Sequence, residues 1–428
     1  MLRLSALAIA LAGCALAARP PSRAPLENEG ELYLSSRSAG PFAAGVSFRI
    51  DSVAAVRGDG ELVPLEAGVL PAGTYQGLSL LIRGAPLVVN APFTILPKRA
   101  TVLSLSFRFV TPQIAGQPFS AEVSATEPAR TLLQLSGYCT TATSLNVFDD
   151  AALRLTSAIP TGSSPWGVAL DLVSNRAYVA LSGEDQIAVI DLANVTELFR
   201  IRLGAGDSPR ELLLSPDRRL LIVANAGSNT VSFVDPAAMV ETSRLQVGDE
   251  PSFLLLDRKS PRVYVFNSRG NSVSVVDLGS RSVVTQVPLG ARPLRGQIDA
   301  KGSRLYVASA SSADLSIFSL PSFSPQQPVH IGLGTTAIKV DSNTDLLYVA
   351  NGDGRVSIFD PFSLVPIDFF DLPSAASWMS IDGAQDALFA LMPAMHTVTA
   401  IQLTTKAPLG QLEVGPEPRR LALFRERN

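Results

Sequence analysis

Two histidines, His330 and His396, and two cysteines, Cys14 and Cys139, are the whole stock of imidazole and thiol in 428 residues, and they lie far apart along the chain. That stock cannot assemble a His/Cys zinc site, and it leaves few ligands for haem or copper. No G-x-S-x-G, H-E-x-x-H or P-loop pattern occurs, so no activated serine, zinc-bound water or phosphate cradle is indicated. Gly352-Asp353-Gly354 looks like a fragment of a calcium loop, but no ligand series follows it, and a tight turn is the simpler reading. No catalytic residue, metal or cofactor is therefore expected.

A different chemistry is suggested by Trp166, Arg210, Glu211, Arg269, Arg292, Arg295, Arg355, Trp378, His396 and Arg420. Arginine and tryptophan anchor interfaces, and several guanidinium groups gathered at one place can receive a carboxylate or phosphate. Whether they gather depends on the elements that carry them.

Those elements repeat. Aligned on Tyr178-Val179-Ala180, equivalent triplets fall at Ile222, Tyr264, Tyr306, Tyr348 and Phe389, with offsets of 44, 42, 42, 42 and 41. An Asp column precedes the triplets (Asp171, Asp257, Asp299, Asp341, Asp382) and another follows them (Asp149, Asp191, Asp235, Asp277, Asp360). Each Asp ends a strand-like run before a turn, where its carboxylate bonds backbone amides two residues on; a ring of carboxylates is not indicated. Proline opens most units, at Pro165, Pro209, Pro251, Pro293 and Pro418. Each unit holds four short apolar runs separated by turn residues, the size of one blade of a β-propeller. The first blade, built on Thr131–Tyr138, Ser144–Phe148 and Leu153–Ile159, lacks its first strand, and the chain ends in a lone strand-one sequence, Pro418–Phe424. The span 131–424 is seven periods of 42 residues, so a seven-bladed propeller with one-plus-three strand closure is expected over 131–425.

These units resemble the YVTN family of β-propeller repeats. Ala224-Asn225, Ser228-Asn229-Thr230-Val231 and Val247-Gly248 carry the likeness in one unit; Tyr264, Asn271 to Asp277 and Leu289-Gly290 carry it in the next. The sixth unit departs most, with Met392-Pro393-Ala394-Met395-His396 in place of the Asn/Gly/Ser turn. The resemblance implies a fold used by many exported bacterial proteins and is not specific for one function.

On the innermost strand of such a blade, alternate residues (Val168/Leu170, Leu212/Leu214, Leu254/Leu256, Ile338/Val340) are apolar and should pack between blades. The intervening Glu211, Phe253, Arg295, Trp378 and Arg420 should face the central channel or its mouth. The loops joining strands four and one, and strands two and three, add Trp166, Arg210, Arg269, Arg292, Arg355 and His396 to that mouth. A water-filled, internally satisfied channel is the alternative.

Before the repeats, 1–13 reads as a signal peptide with a lipobox, Leu11-Ala12-Gly13-Cys14, in which Cys14 would be lipidated. An ordinary cleavage at Ala15-Leu16-Ala17 is the alternative. Residues 14–30 read as a Pro-rich tether, and 31–127 as a β-sandwich, its Leu70–Tyr75 turn resembling transthyretin-like modules. Cys139 reads as a small buried apolar side chain. A net charge of −3 without basic runs speaks against a nucleic-acid partner.

The expectation is an exported protein anchored in the cell envelope, with the outer membrane favoured by Ala15. Its propeller would be a non-catalytic binding or scaffold module for an envelope protein or small anionic ligand. Two other readings stay open. One is an exported propeller enzyme, resembling lactonases or quinoprotein dehydrogenases, with Arg292, Arg295, Glu211 and His396 as its suspects. The other is an accessory factor of redox proteins.

Overall fold

In the computed structural model, which describes residues 25–427 except 40, 41, 43–45, 47, 67, 115, 116, 129–134, 290 and 291, the chain is all-β. A 3-10 turn, Pro393–Met395, interrupts the strands. The signal segment, Cys14 and the tether up to residue 24 lie outside the described residues. The chain divides into two compact units: Met1–Arg130 with Leu153–Pro160 and Gly410–Glu413, and Thr131–Ala152 with Thr161–Leu409 and Val414–Asn428.

The first unit contains two four-stranded sheets. In one, Glu29–Ala39 lies parallel to Ala100–Arg108; in the other, Ile50–Val56, Gly73–Ile82 and Ala85–Ile95 form an antiparallel meander. Alternate residues of both sheets (Leu32 and Leu34, Leu78 and Leu80, Leu103 and Leu105) enter one apolar core, as a period of two requires. Phe48, Phe107, Phe109 and Phe119 close it with edge-on ring contacts.

The second unit carries seven sheets, and the repeat read from the sequence is their repeat. In each complete unit the first strand pairs antiparallel with the second, and the second with the third. Pro209–Leu214, Leu221–Asn225 and Thr230–Asp235 show the pattern. The middle strands are buried on both faces, so Tyr178, Tyr264, Tyr306 and Phe389 are almost wholly enclosed. Cys139 is a free, fully buried thiol, and burial pushes its pKa up. The strand columns end on Asp caps: Asp235 accepts from the Ala237 and Ala238 amides at 2.8 and 3.0 Å, which hold its carboxyl below the usual range. Asp191, Asp277 and Asp360 repeat this. Asp353 caps the Gly352–Gly354 turn through the Arg355 amide, as a tight turn would.

The proline column has a structural meaning of its own. The ladder between first and second strands shifts register just after Pro165, Pro209, Pro251 and Pro293, leaving an unpaired residue where proline has already removed a donor. Each innermost strand lies against those of the sheets before and after it. Gly167 permits one such approach, since a Cβ there would come within 2.6 Å of the Arg210 carbonyl.

The C-terminal strand Arg420–Leu423 pairs antiparallel with Ser136–Thr140, so residues 280 apart share one ladder. The chain then runs on against Trp378–Asp382: the Gly383 amide donates to the Arg425 carbonyl, and the Arg427 amide to that of Ile381. Three consecutive side chains secure this tail. Arg425 lies 3.8 Å from Asp150 and 3.6 Å from Asp382; Glu426 bonds the buried Lys339 at 2.9 Å; Arg427 reaches Asp341 and Asp386 at 3.2 and 3.1 Å. Asp341 and Asp382 therefore carry charge pairing in addition to the turn-capping role expected of them.

Asp150 and Asp382 are both buried, and each lies near the same Arg425 guanidinium. Burial first, then the adjoining Asp382 carboxyl, push Asp150 up to about 7, against the opposing pull of Arg425. Unfolded, it would titrate near ~3.9. Between these values the native state keeps a proton that the unfolded state has lost, so this stabilisation is full below pH ~4 and fades as pH rises through about 7. Asp150→Asn keeps a hydrogen-bonding partner for Asp382 without the charge. It should raise the melting temperature at pH 8 by about 2–6 °C and leave it nearly unchanged at pH 4. Differential scanning calorimetry at both pH values checks this; an equal difference at the two would refute it.

Candidate functional site

The innermost strands enclose a cavity of about 690 Å³, and its lining takes residues from every one of the seven sheets. At one end stand Phe253, Arg295, Trp378 and Arg420. Away from them the lining passes Leu170, Leu214, Leu256 and Leu423 and reaches Leu172, Pro216 and Arg258, in the turns that follow the first strands. Lys339, paired with Glu426, lies on the wall.

The charged end is built around one indole. The Arg420 guanidinium lies 3.2 Å and that of Arg295 4.3 Å from the Trp378 ring centroid, and the Phe253 ring is 6.0 Å away. The indole N–H of Trp378 donates to the Ser380 hydroxyl at 3.1 Å. Glu211, 4% exposed, lies 3.1 Å from Arg420 and accepts from its neighbour's amide, Leu212. Burial raises the Glu211 carboxyl, opposed mainly by Arg420 and then by Arg295. Burial, with Arg420 close by, lowers Arg295, and Glu211 works the other way. Guanidinium is so strong a base that both arginines remain cations at neutral pH. One carboxylate thus faces two cations. The Nε atoms of Arg295 and Arg420 are buried without a hydrogen-bond acceptor, and Nη1 of Arg420 faces Glu211.

The ten residues expected at one mouth separate into distinct places. Arg295, Trp378 and Arg420 line the cavity, and Glu211 ties to them. Trp166 belongs to another group, between Arg210 at 4.9 Å and Arg419 at 4.4 Å; Arg210 and Arg269 pair there with Glu250, at 3.0 and 3.6 Å. That group falls where the ladder is offset after the proline, and none of its members lines the cavity. Arg292 and His396 are exposed. Arg355 opens a third strand, so its guanidinium meets the outermost strand and stacks 3.6 Å from the Phe369 centroid. One further expectation is corrected: Leu170, Leu214 and Leu256 are only half-buried and line the cavity, because these strands end apolar towards the axis as well as between sheets. Sequence reasoning missed Glu426, the partner of Lys339, which follows the last strand in a tail without a repeat signature. Among the described residues, no group of three His, Cys, Asp or Glu side chains is placed to hold a metal.

Glu211 is the only acid bonded to this buried pair of cations in the ion pairs above. Removing it leaves like charges facing each other, which costs about 2–4 kcal/mol in such surroundings. Glu211→Ala should therefore destabilise strongly, and the double variant Glu211→Ala/Arg420→Met should lose less than the two single losses added together. Urea unfolding of the four proteins measures the coupling; additive losses would contradict it.

The sequence model described as YNCE-like beta-propeller matches residues 136–244. No curated protein matches the chain. Among solved structures, the chain is similar to Kuenenia stuttgartiensis hydrazine synthase (17% identity, TM-score 0.52, 59% of this chain and 87% of that one). It is also similar to the dihydro-heme d1 dehydrogenase NirN in complex with DHE (13% identity, TM-score 0.53, 69% and 76%). These likenesses establish the β-propeller fold, in line with the repeats read from the sequence, and at such identities they carry nothing further.

Proposed function

We propose that this β-propeller protein is an envelope-anchored binding module whose ring centre holds a small anionic ligand without transforming it. In this reading the seven sheets are seven blades, closed one-plus-three by Arg420–Leu423, and Cys14 is the lipid anchor. The observation that carries the reading is the pair of guanidinium groups on the cavity lining, Arg295 and Arg420, which face one carboxylate, Glu211. An anion at the Trp378 end would supply the missing negative charge and accept from the guanidinium edges that line the cavity. The only acid in this cluster, Glu211, is engaged by Arg420 and the Leu212 amide, which suits holding a charge better than passing a proton. The envelope location rests on the lipobox alone.

The test is a thermal-shift titration of the full chain with a panel of small anions: inorganic phosphate, sulfate, citrate, benzoate and octanoate. At least one should raise the melting temperature of the parent in a saturable way, and the rise should disappear in Arg295→Gln. A panel that moves neither protein, or moves both alike, would sink the reading.

A further inference from the structure

The cavity beyond the two arginines narrows the class of anion. Its wall is made by Leu170, Leu214, Leu256, Ile338, Met379 and Leu423; of the other basic groups on the lining, Lys339 already has Glu426 at 2.9 Å, and Arg258 stands at the opposite end with Asp257. Arg295, Arg420 and Glu211 together leave one uncompensated positive charge at the Trp378 end. A phosphate monoester brings about 1.5–2 negative charges at neutral pH and would leave excess charge where desolvation is expensive. A carboxylate brings one, and its two oxygens match the guanidinium fork. A space of about 690 Å³ has room for more than a bare carboxylate, and the leucines favour an apolar remainder.

We infer that the cavity takes a monocarboxylate with an apolar body, its carboxylate received by Arg295 and Arg420 beside Trp378 and its body against the leucine wall. The inference rests on the anion-binding reading and specifies it. Of the two tryptophans in the chain, Trp378 lines the cavity and Trp166 does not, so the site has its own reporter.

The experiment uses the full chain carrying Cys14→Ser and Trp166→Phe, so that Trp378 is the sole indole and residue 14 cannot be acylated. Four probes are titrated by calorimetry and Trp378 fluorescence: octanoate, octanol, octyl phosphate and acetate. Octanoate should bind at least 10-fold more tightly than each of the others and change the Trp378 emission. Arg295→Gln should weaken octanoate at least 10-fold and leave octanol unchanged. Leu214→Trp, which fills the apolar wall, should weaken octanoate and octanol alike; it is read by calorimetry, and circular dichroism verifies the fold of both variants. If Arg295→Gln does not fold, Arg295→Lys keeps the charge, removes the fork and should still lose most of the octanoate affinity. Octyl phosphate or acetate binding as well as octanoate would overturn the inference and leave the anion-binding reading standing. Octanol binding as well as octanoate would overturn both. No binding by any of the four would overturn the inference, with the anion panel deciding the broader reading separately.

Discussion

A four-stranded sheet with two apolar faces cannot be left alone in water, and everything in the second unit follows from that. Each of its sheets buries the middle strands on both sides, so each needs a neighbour before it and a neighbour after it. The chain returns Arg420–Leu423 to Ser136–Thr140, across 280 residues of sequence, and then runs its tail on against Trp378–Asp382. Such a contact closes late in sequence and rewards no local nucleus, so its side-chain bonds have to hold what propensity does not. The Arg425, Glu426 and Arg427 pairs are those bonds.

Bringing first strands together at an axis also brings together side chains that no single repeat would choose to bury. Arg420 comes from the returning strand, Arg295 and Glu211 from separate sheets, and Trp378 from the last. In isolation each would be an ordinary surface residue. Around one indole they become a low-dielectric cluster with more cation than anion, in which every charge is stronger than it would be in water. The position of Trp378 between two guanidinium groups is thus a consequence of first strands from different sheets lying together.

Much of this was legible in the sequence because a repeat amplifies weak local signals. The Tyr178, Tyr264 and Tyr306 column, the Asp caps and the lone final strand each recur or fail to recur at a fixed period, and buried Cys139 fits its place in that period. What was not legible concerns direction. Period and turn chemistry put Arg355 in the loop between second and third strands, whereas it opens the third strand and its side chain leans outward onto Phe369. They group Trp166 and Arg210 with Arg295, although Arg210, stacked on Trp166, pairs with Glu250 where the ladder is offset after the proline, and Arg295 lines the cavity. The tail beyond Phe424 has no counterpart in any repeat, so its ionic role could be seen only in three dimensions.

The two ends of the innermost strands now have different physical characters, and that difference bears on what the centre can hold. At the ends nearest the prolines, Arg295, Arg420 and Glu211 leave a net positive charge beneath Trp378. At the other ends Leu170, Leu214 and Leu256 reach the axis half-buried, with apolar surface that water covers poorly. A dry channel would leave the excess guanidinium charge uncompensated; a fully wet one would leave the leucines against water. Neither solvent arrangement satisfies both ends at once. A molecule with charge at one end and hydrocarbon at the other does, which is why the polarity of the cavity, more than its size, is the feature that selects its occupant.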